Sequence, residues 1–152
     1  MKKLSDTYKE LGIAFKFPIK IKNAKGRSTY YESSNGFWYK NEYDSNGNET
    51  YYEASTGFGY KSEYDSKGNK TYHETYYASS NGFWYKSEYD SKGNKTYYET
   101  SKGFWYKKEY NSDGEVTYYD NSHGEKLGTP RNKTCEGKVI EVDGIKYELK
   151  AL

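Results

Sequence analysis

Tryptophan, tyrosine and glutamate recur in this sequence in a pattern that could bind a partner. Each of the three tryptophans is followed directly by a tyrosine, and a glutamate lies four residues after each tryptophan. In the second of the four copies of this pattern, Gly59 stands in place of the tryptophan. Tryptophan and tyrosine are enriched among the residues that dominate binding energy. The candidate partner-binding residues are Trp38, Trp84, Trp105, Tyr39, Tyr60, Tyr85, Tyr106, Glu42, Glu63, Glu88 and Glu109.

Side chains typical of catalysis and metal binding are scarce. The chain has two histidines, His73 and His123, and one cysteine, Cys135. The common zinc sites and catalytic triads need more of these residues, and a single cysteine fits a reducing compartment. We therefore expect a protein that is not an enzyme and uses no cofactor or metal. His73 replaces a tyrosine and is expected at a solvent-facing strand position.

The aromatic residues belong to an internal repeat of about 21 residues. Threonines that open a TYYE-like segment are spaced by 21, 21, 25 and 21 residues, at Thr29, Thr50, Thr71, Thr96 and Thr117. Each unit continues through a small turn ending in glycine, a GFWYKSEYD-like segment and a DSKGN-like turn. Turns this short join antiparallel neighbours. The four extra residues, in TYHETYYASSNG, are an even number and should leave later side chains on their faces.

The DSNGN turn sets an expected register. If it closes around three residues, Asp44 pairs with Asn48. Counting from this pair puts Phe37, Tyr39, Asn41 and Tyr43 on one face with Glu49, Tyr51 and Glu53, and Trp38, Lys40 and Glu42 on the other with Thr50 and Tyr52. Both faces would carry rings and charges. This pattern favours a single-layer or partly curled sheet, held by cross-strand aromatic pairs.

The two ends of the chain differ from the repeats. Leu4, Tyr8 and Leu11 have helical spacing, and the alternation from Ile13 to Ile21 predicts one strand carrying that helix on its apolar side. Near the C-terminus, alternating runs flank Asp143-Gly144, a strong hairpin signal. The predicted fold class is all-β, an antiparallel β-meander of hairpin repeats with a short N-terminal helix and a C-terminal β-hairpin. Its predicted parts are a cap (1–28), four and a fraction repeats (29–121), a linker (122–134) and the hairpin (135–152).

Charge is distributed unevenly along the chain. Residues 1–28 carry eight Lys and Arg against two acids, whereas residues 29–121 carry 10 Lys against 15 Asp and Glu. An acidic aromatic sheet is a poor phosphate-binding surface, because nucleic-acid affinity depends mainly on Lys and Arg. It suits a protein partner with a basic surface. The alternative is a solvated surface whose charges give solubility and discourage edge pairing.

The repeats resemble a known family. The segment GFWYKSEYDSKGNKTYYE resembles the YD repeats of RHS-type proteins: Tyr43-Asp44, Tyr64-Asp65 and Tyr89-Asp90 match the Tyr-Asp core, and Tyr110-Asn111 departs from it. The resemblance covers roughly residues 29–121 and implies hairpin repeats, not a function. RHS proteins close many such repeats into a shell, for which four copies are too few. The layout from LGIAFKFPIKI to GKVIEVDGIKYELK is also similar to small repeat proteins of phage genomes.

Three function classes follow from these observations. The leading hypothesis is a non-enzymatic protein-binding repeat module, and the phage resemblance implies an accessory protein that inhibits a host defence or nucleic-acid-handling protein. The alternatives are a glycan-binding module, since GFWYK resembles the hairpins of choline- and glucan-binding repeats, and a single-stranded nucleic-acid binder using stacked rings. The tryptophans are either a stack that stabilises the sheet or platforms about 10 Å apart.

The expected surroundings are those of a cytoplasmic protein. The start MKKLSDTYKELG offers no apolar stretch typical of a signal peptide, and no apolar span of about 20 residues follows. We expect no membrane partner and consider nucleic acid an unlikely one. The oligomeric state stays open, with self-association through edge strands as one option.

Overall fold

The computed structural model describes residues 2–78 and 81–131 in full, and residues 139–142 and 145–148 by their backbone. One helix, α1 (Leu4–Glu10), precedes an open antiparallel sheet of 11 strands in which each strand pairs with its neighbours in sequence. The strands are β1 (Ile19–Lys22), β2 (Ser28–Glu32), β3 (Trp38–Tyr43), β4 (Glu49–Ala54), β5 (Phe58–Tyr64), β6 (Lys70–Tyr77), β7 (Phe83–Tyr89), β8 (Lys95–Thr100), β9 (Trp105–Tyr110), β10 (Val116–Asn121) and β11 (Lys126–Leu127). A separate sheet pairs β12 (Val139–Val142) with β13 (Ile145–Glu148).

The predicted all-β meander, with its N-terminal helix and C-terminal hairpin, is confirmed, but details at the ends differ. The predicted strand from Ile13 is present only as β1, which begins after Pro18, a residue that donates no hydrogen bond to a ladder. Part of the predicted linker is strand β11, which pairs with β10. The Asp143-Gly144 turn and Cys135 lie outside the described residues.

The Asp-to-Asn turns close around three residues, as predicted. The Asp44 amide donates to the Asn48 carbonyl at 3.0 Å, and the Asp44 carboxylate accepts the amide of Asn48 at 2.8 Å. The same bonds recur at Asp65 and Asp90. In the fourth repeat Asn111 donates its side-chain amide to Glu115 at 2.9 Å. In Tyr110-Asn111, which departs from the Tyr-Asp pattern, the amide and the carboxylate have exchanged positions. The side chains at the two ends of the turn are still joined by a hydrogen bond.

The threonine of each repeat forms a β-bulge. Tyr43 pairs with Glu49, but Glu42 pairs with Tyr51, so that Thr50 has no partner in the ladder. The pairing skips the equivalent threonines in the same way, at Thr29, Thr71, Thr96 and Thr117. A bulge adds one residue to one strand. The residues beyond it therefore lie on the face opposite to the one expected from counting alternate residues outward from the turn.

The bulge corrects the expected faces. Tyr52 pairs with Asn41 and therefore lies on the face of Tyr39, whereas Tyr51 and Glu53 lie on the face of Trp38. The predicted assignment of Tyr51, Tyr52 and Glu53 is wrong because it assumed an unbroken ladder beyond the turn.

Gly59 and Tyr76 compensate for each other across β5 and β6. Gly59 stands where three other repeats have tryptophan, and it pairs with Tyr76, which belongs to the lengthened third repeat. A β-carbon on Gly59 would lie 2.3 Å from Cζ of the Tyr76 ring. The ring thus covers the glycine, an arrangement that stabilises glycine in strands.

We expect Gly59→Ala to destabilise the protein by about 1–3 kcal/mol, because the added methyl group overpacks against Tyr76. In a Tyr76→Ala background the same change should be neutral or stabilising, since alanine is the better strand residue once the clash is gone. Urea unfolding of the four proteins measures this coupling. An equal cost in both backgrounds would contradict the packing described.

Candidate binding surface

The bulged register divides the side chains of β2–β10 between two unlike faces. We call the first the ladder face, because rings cross it in contact with one another. We call the second the acidic face, because it carries nine carboxylates against four lysines. The acids are Glu32, Glu42, Glu53, Glu63, Glu74, Glu88, Glu99, Glu109 and Asp120, and the lysines are Lys40, Lys61, Lys86 and Lys107. The ladder face of the same strands has one acid, Glu49, and three lysines, Lys70, Lys95 and Lys108.

The main row of the ladder face runs across nine strands. It consists of Tyr31, Tyr39, Tyr52, Tyr60, His73, Tyr85, Tyr98, Tyr106 and Tyr119. Tyr39 stacks on Tyr31 at 5.3 Å and 11° and on Tyr52 at 6.0 Å and 23°. Both sides of such a ring are therefore covered by its neighbours. Solvent reaches mainly edges and hydroxyl groups, so these rings are poor platforms for a base or a sugar.

His73 is part of this row. Its ring lies between Tyr60 and Tyr85, with Ser62 Oγ 2.9 Å from Nδ1 and Thr75 Oγ1 2.9 Å from Nε2. His73 occupies a strand position, as predicted, but on the ladder face it is half-buried between its neighbours and not fully open to solvent. Burial lowers the pKa of the imidazole, and the nearby positive charges lower it further.

His73 should make folding stability depend on pH. Because the pKa is lower in the folded state, the unfolded chain takes up the proton first, and stability falls as the pH drops below the ordinary histidine pKa of about 6.5. In His73→Tyr this contribution should vanish. The melting temperatures of the two proteins should therefore diverge between about pH 7.5 and pH 5. If the melting temperatures of the two proteins changed in parallel with pH, the pKa of His73 would be the same in the folded and unfolded states, which would contradict its burial.

The predicted site residues are split between the two faces. Trp38, Trp84, Trp105, Glu42, Glu63, Glu88 and Glu109 lie on the acidic face, whereas Tyr39, Tyr60, Tyr85 and Tyr106 lie on the ladder face. In the fully described ranges, none of the stacked or tilted ring pairs includes a tryptophan. Trp84 and Trp105 are half-buried, and each has a lysine ammonium 5.7 to 5.8 Å from its ring centroid. The tryptophans therefore do not form the stack that was one of the two interpretations.

Trp38 differs from the other tryptophans because α1 covers it. It is only 8% exposed and forms a small core with Ile19 and Tyr30, against which Leu4, Tyr8 and Phe15 pack. The helix therefore lies on the apolar side of β1, as predicted. Trp38 cannot act as an open platform in this arrangement.

Glu32 anchors the helix, a role that the sequence did not reveal. Ser5 donates both its amide and its hydroxyl to the Glu32 carboxylate, and Tyr30 donates its hydroxyl at 2.9 Å. Tyr30 in turn accepts the Leu4 amide at 3.2 Å. Burial alone would raise the pKa of Glu32, but the hydrogen bonds outweigh it and the pKa is lowered. The same burial raises the pKa of Tyr30 to about 12.

We expect Glu32→Gln to destabilise the protein by about 1–3 kcal/mol, because the amide cannot accept all the buried donors. Trp38 fluorescence should shift to the red as α1 detaches. Glu53→Gln is the matched control, since Glu53 accepts a tyrosine hydroxyl from Tyr51 at 2.7 Å but no helix bonds. Urea unfolding compares the two. Equal losses would contradict an anchoring role for Glu32.

Comparison with protein-family models and with curated protein sequences gives no match. The resemblance to YD repeats and to phage proteins therefore stays a prediction. Within the described residues there is no helix long and apolar enough to cross a membrane, and no group of three or more His, Cys, Asp or Glu side chains is placed to hold a metal ion.

Proposed function

We propose that this protein is a non-enzymatic binding module whose acidic face docks on a basic surface of another protein. The separation of charge carries this proposal: nearly all strand carboxylates share one face, and Glu42, Glu63 and Glu88 are exposed there. Complementary charges of this kind steer association and fix the orientation of partners. The half-buried Trp84 and Trp105 lie on the same face and add the aromatic anchors typical of protein interfaces.

The two alternatives have less support. Single-stranded nucleic acids need cations and free ring faces, but the acidic face repels phosphate and the ladder rings cover one another. Glycan binding needs rings open for stacking, and Lys86 and Lys107 lie over the rings of Trp84 and Trp105. Binding to a protein partner requires neither a cationic surface nor rings with free faces.

The biological setting is proposed from the resemblance alone. In that proposal the module is a phage accessory protein in the host cytoplasm, and it inhibits a host defence or nucleic-acid-handling protein. A surface that normally binds nucleic acid is basic, which matches the acidic face. Mimicry of that charge would block the partner without any chemical reaction.

Capture experiments with two matched triple variants test the proposal. The first, Glu42→Gln with Glu63→Gln and Glu88→Gln, neutralises exposed charges of the acidic face. The second, Lys70→Gln with Lys95→Gln and Lys108→Gln, neutralises as many charges on the ladder face. Each tagged protein, checked by circular dichroism, is used to capture partners from bacterial lysate, and mass spectrometry identifies them.

We expect the wild-type protein and the lysine variant to recover the same basic protein, and the glutamate variant to lose at least about tenfold of it, a difference of roughly 1.4 kcal/mol. Raising the salt concentration should weaken capture by screening. If the lysine variant loses the partner while the glutamate variant keeps it, the ladder face is the binding surface. Salt-sensitive binding of single-stranded DNA that depends on the lysines would favour the nucleic-acid alternative.

A further inference from the structure

We infer that Tyr97, Glu99 and Trp105 form a docking site for a short amphipathic helix of a partner, equivalent to the site that α1 occupies on Tyr30, Glu32 and Trp38. This inference rests on the proposed function, since it uses the acidic face, and it names the chemistry of the partner. We call each set a Tyr-Glu-Trp triplet.

The two triplets have the same geometry. Glu32 pairs with Trp38 and Glu99 with Trp105 across neighbouring strands. The tyrosine two residues before each glutamate donates its hydroxyl to the carboxylate at 2.9 Å in both triplets. Each tyrosine also pairs with a lysine, Tyr30 with Lys40 and Tyr97 with Lys107. The repeat therefore presents the same side chains twice, 67 residues apart in sequence.

The copies differ in what covers them. The first triplet lies under α1, which makes Glu32 1% and Trp38 8% exposed. In the second repeat glycine replaces the tryptophan, and the Tyr76 ring covers it, with its hydroxyl 3.2 Å from that of Tyr51. At Glu99 and Trp105 the side chains stay half-buried, and no helix of the described part of the chain lies over them. Among the described residues, this triplet is thus the intact copy over which no helix lies.

The Glu99 carboxylate is ready to accept a further donor. Tyr97 and Lys86 both approach its Oε2, at 2.9 and 2.7 Å, and no described residue donates to Oε1. In Glu32 the hydroxyl of Ser5 occupies Oε1. Lys86 stands where Ile19 faces Glu32, so a partner meets one added positive charge here. The hydrogen bond from Lys86 also lowers the pKa of Glu99 and keeps it ionised.

The helix α1 indicates what the partner should look like. In its first turn, where amide groups have no partner within the helix, Ser5 donates its amide and its hydroxyl to a carboxylate. Its Leu4 and Tyr8, one turn apart, pack against the core that contains the tryptophan. Beside the uncovered triplet, an open groove between Tyr97, Lys107, Tyr118 and Arg131 leaves room for the rest of a partner segment. We therefore expect a segment with serine or threonine in its first helical turn and leucine or aromatic residues four apart.

A synthetic peptide of residues 1–18, MKKLSDTYKELGIAFKFP, added to the full-length protein, tests the inference. Isothermal titration calorimetry should detect binding to a site other than the one occupied by α1. We expect Glu99→Gln and Trp105→Ala each to raise the dissociation constant at least about tenfold. Lys108→Gln is the control and should change it less than about twofold, because Lys108 lies on the ladder face, on the opposite side of β9 from Trp105. A peptide carrying Ser5→Ala should also bind more weakly.

Two results would overturn the inference. One is that no binding is detected at about 1 mM peptide. The dissociation constant would then be above about 1 mM, which is too weak for a docking site. The other is binding that Glu32→Gln abolishes and Glu99→Gln leaves intact, because the peptide would then displace α1 from its own site. If either occurs while lysate capture still depends on Glu42, Glu63 and Glu88, the acidic face binds its partner by other contacts and the proposed function stands.

Discussion

Stacking of aromatic rings between neighbouring strands is the interaction on which the rest of this structure depends. The buried apolar side chains of the described residues are Ile19, Tyr30, Trp38 and Ala54, too few to hold 11 strands. The main row of the ladder face instead links nine strands through ring contacts. Each cross-strand pair contributes roughly 0.2–1 kcal/mol, so stability accumulates along the row, as in other linear repeats. The edge strands are short and carry Lys20, Lys22 and Lys126, which discourages pairing with other chains.

The threonine bulge links this stacking to function. Without it, Tyr52 would leave the ladder row, and Tyr51 and Glu53 would join that face, so the carboxylates would be divided between the two faces. With it, one face supplies cohesion and the other collects negative charge. The same face then carries the Tyr-Glu-Trp triplets, one of which already binds a helix of the chain itself. A repeat that stabilises the sheet thus also presents the surface that we propose binds a partner.

Much of the architecture could be predicted because its signals are local. The 21-residue spacing and the Asp-to-Asn turns indicate a meander, and the even insertion preserves the faces beyond it. The bulge could not be predicted from the alternation of side chains along the strands. One unpaired threonine leaves the two-residue period unchanged on either side of it, so the sequence pattern looks the same with or without the bulge. That error placed Tyr51, Tyr52 and Glu53 on the wrong faces. The contact between Ser5 and Glu32 joins residues 27 apart and depends on where the helix folds back, which the sequence pattern does not encode.

The most direct test of the central claim is the backbone pairing of Asn41, measured by cross-strand nuclear Overhauser effects in the isotope-labelled protein. The bulged register predicts that Asn41 lies opposite Tyr52 and that Thr50 has no cross-strand partner. Equivalent contacts should join Ser87 to Tyr98. Contacts that place Asn41 opposite Tyr51 would show an unbroken ladder, and the collection of the strand carboxylates on one face would then be wrong.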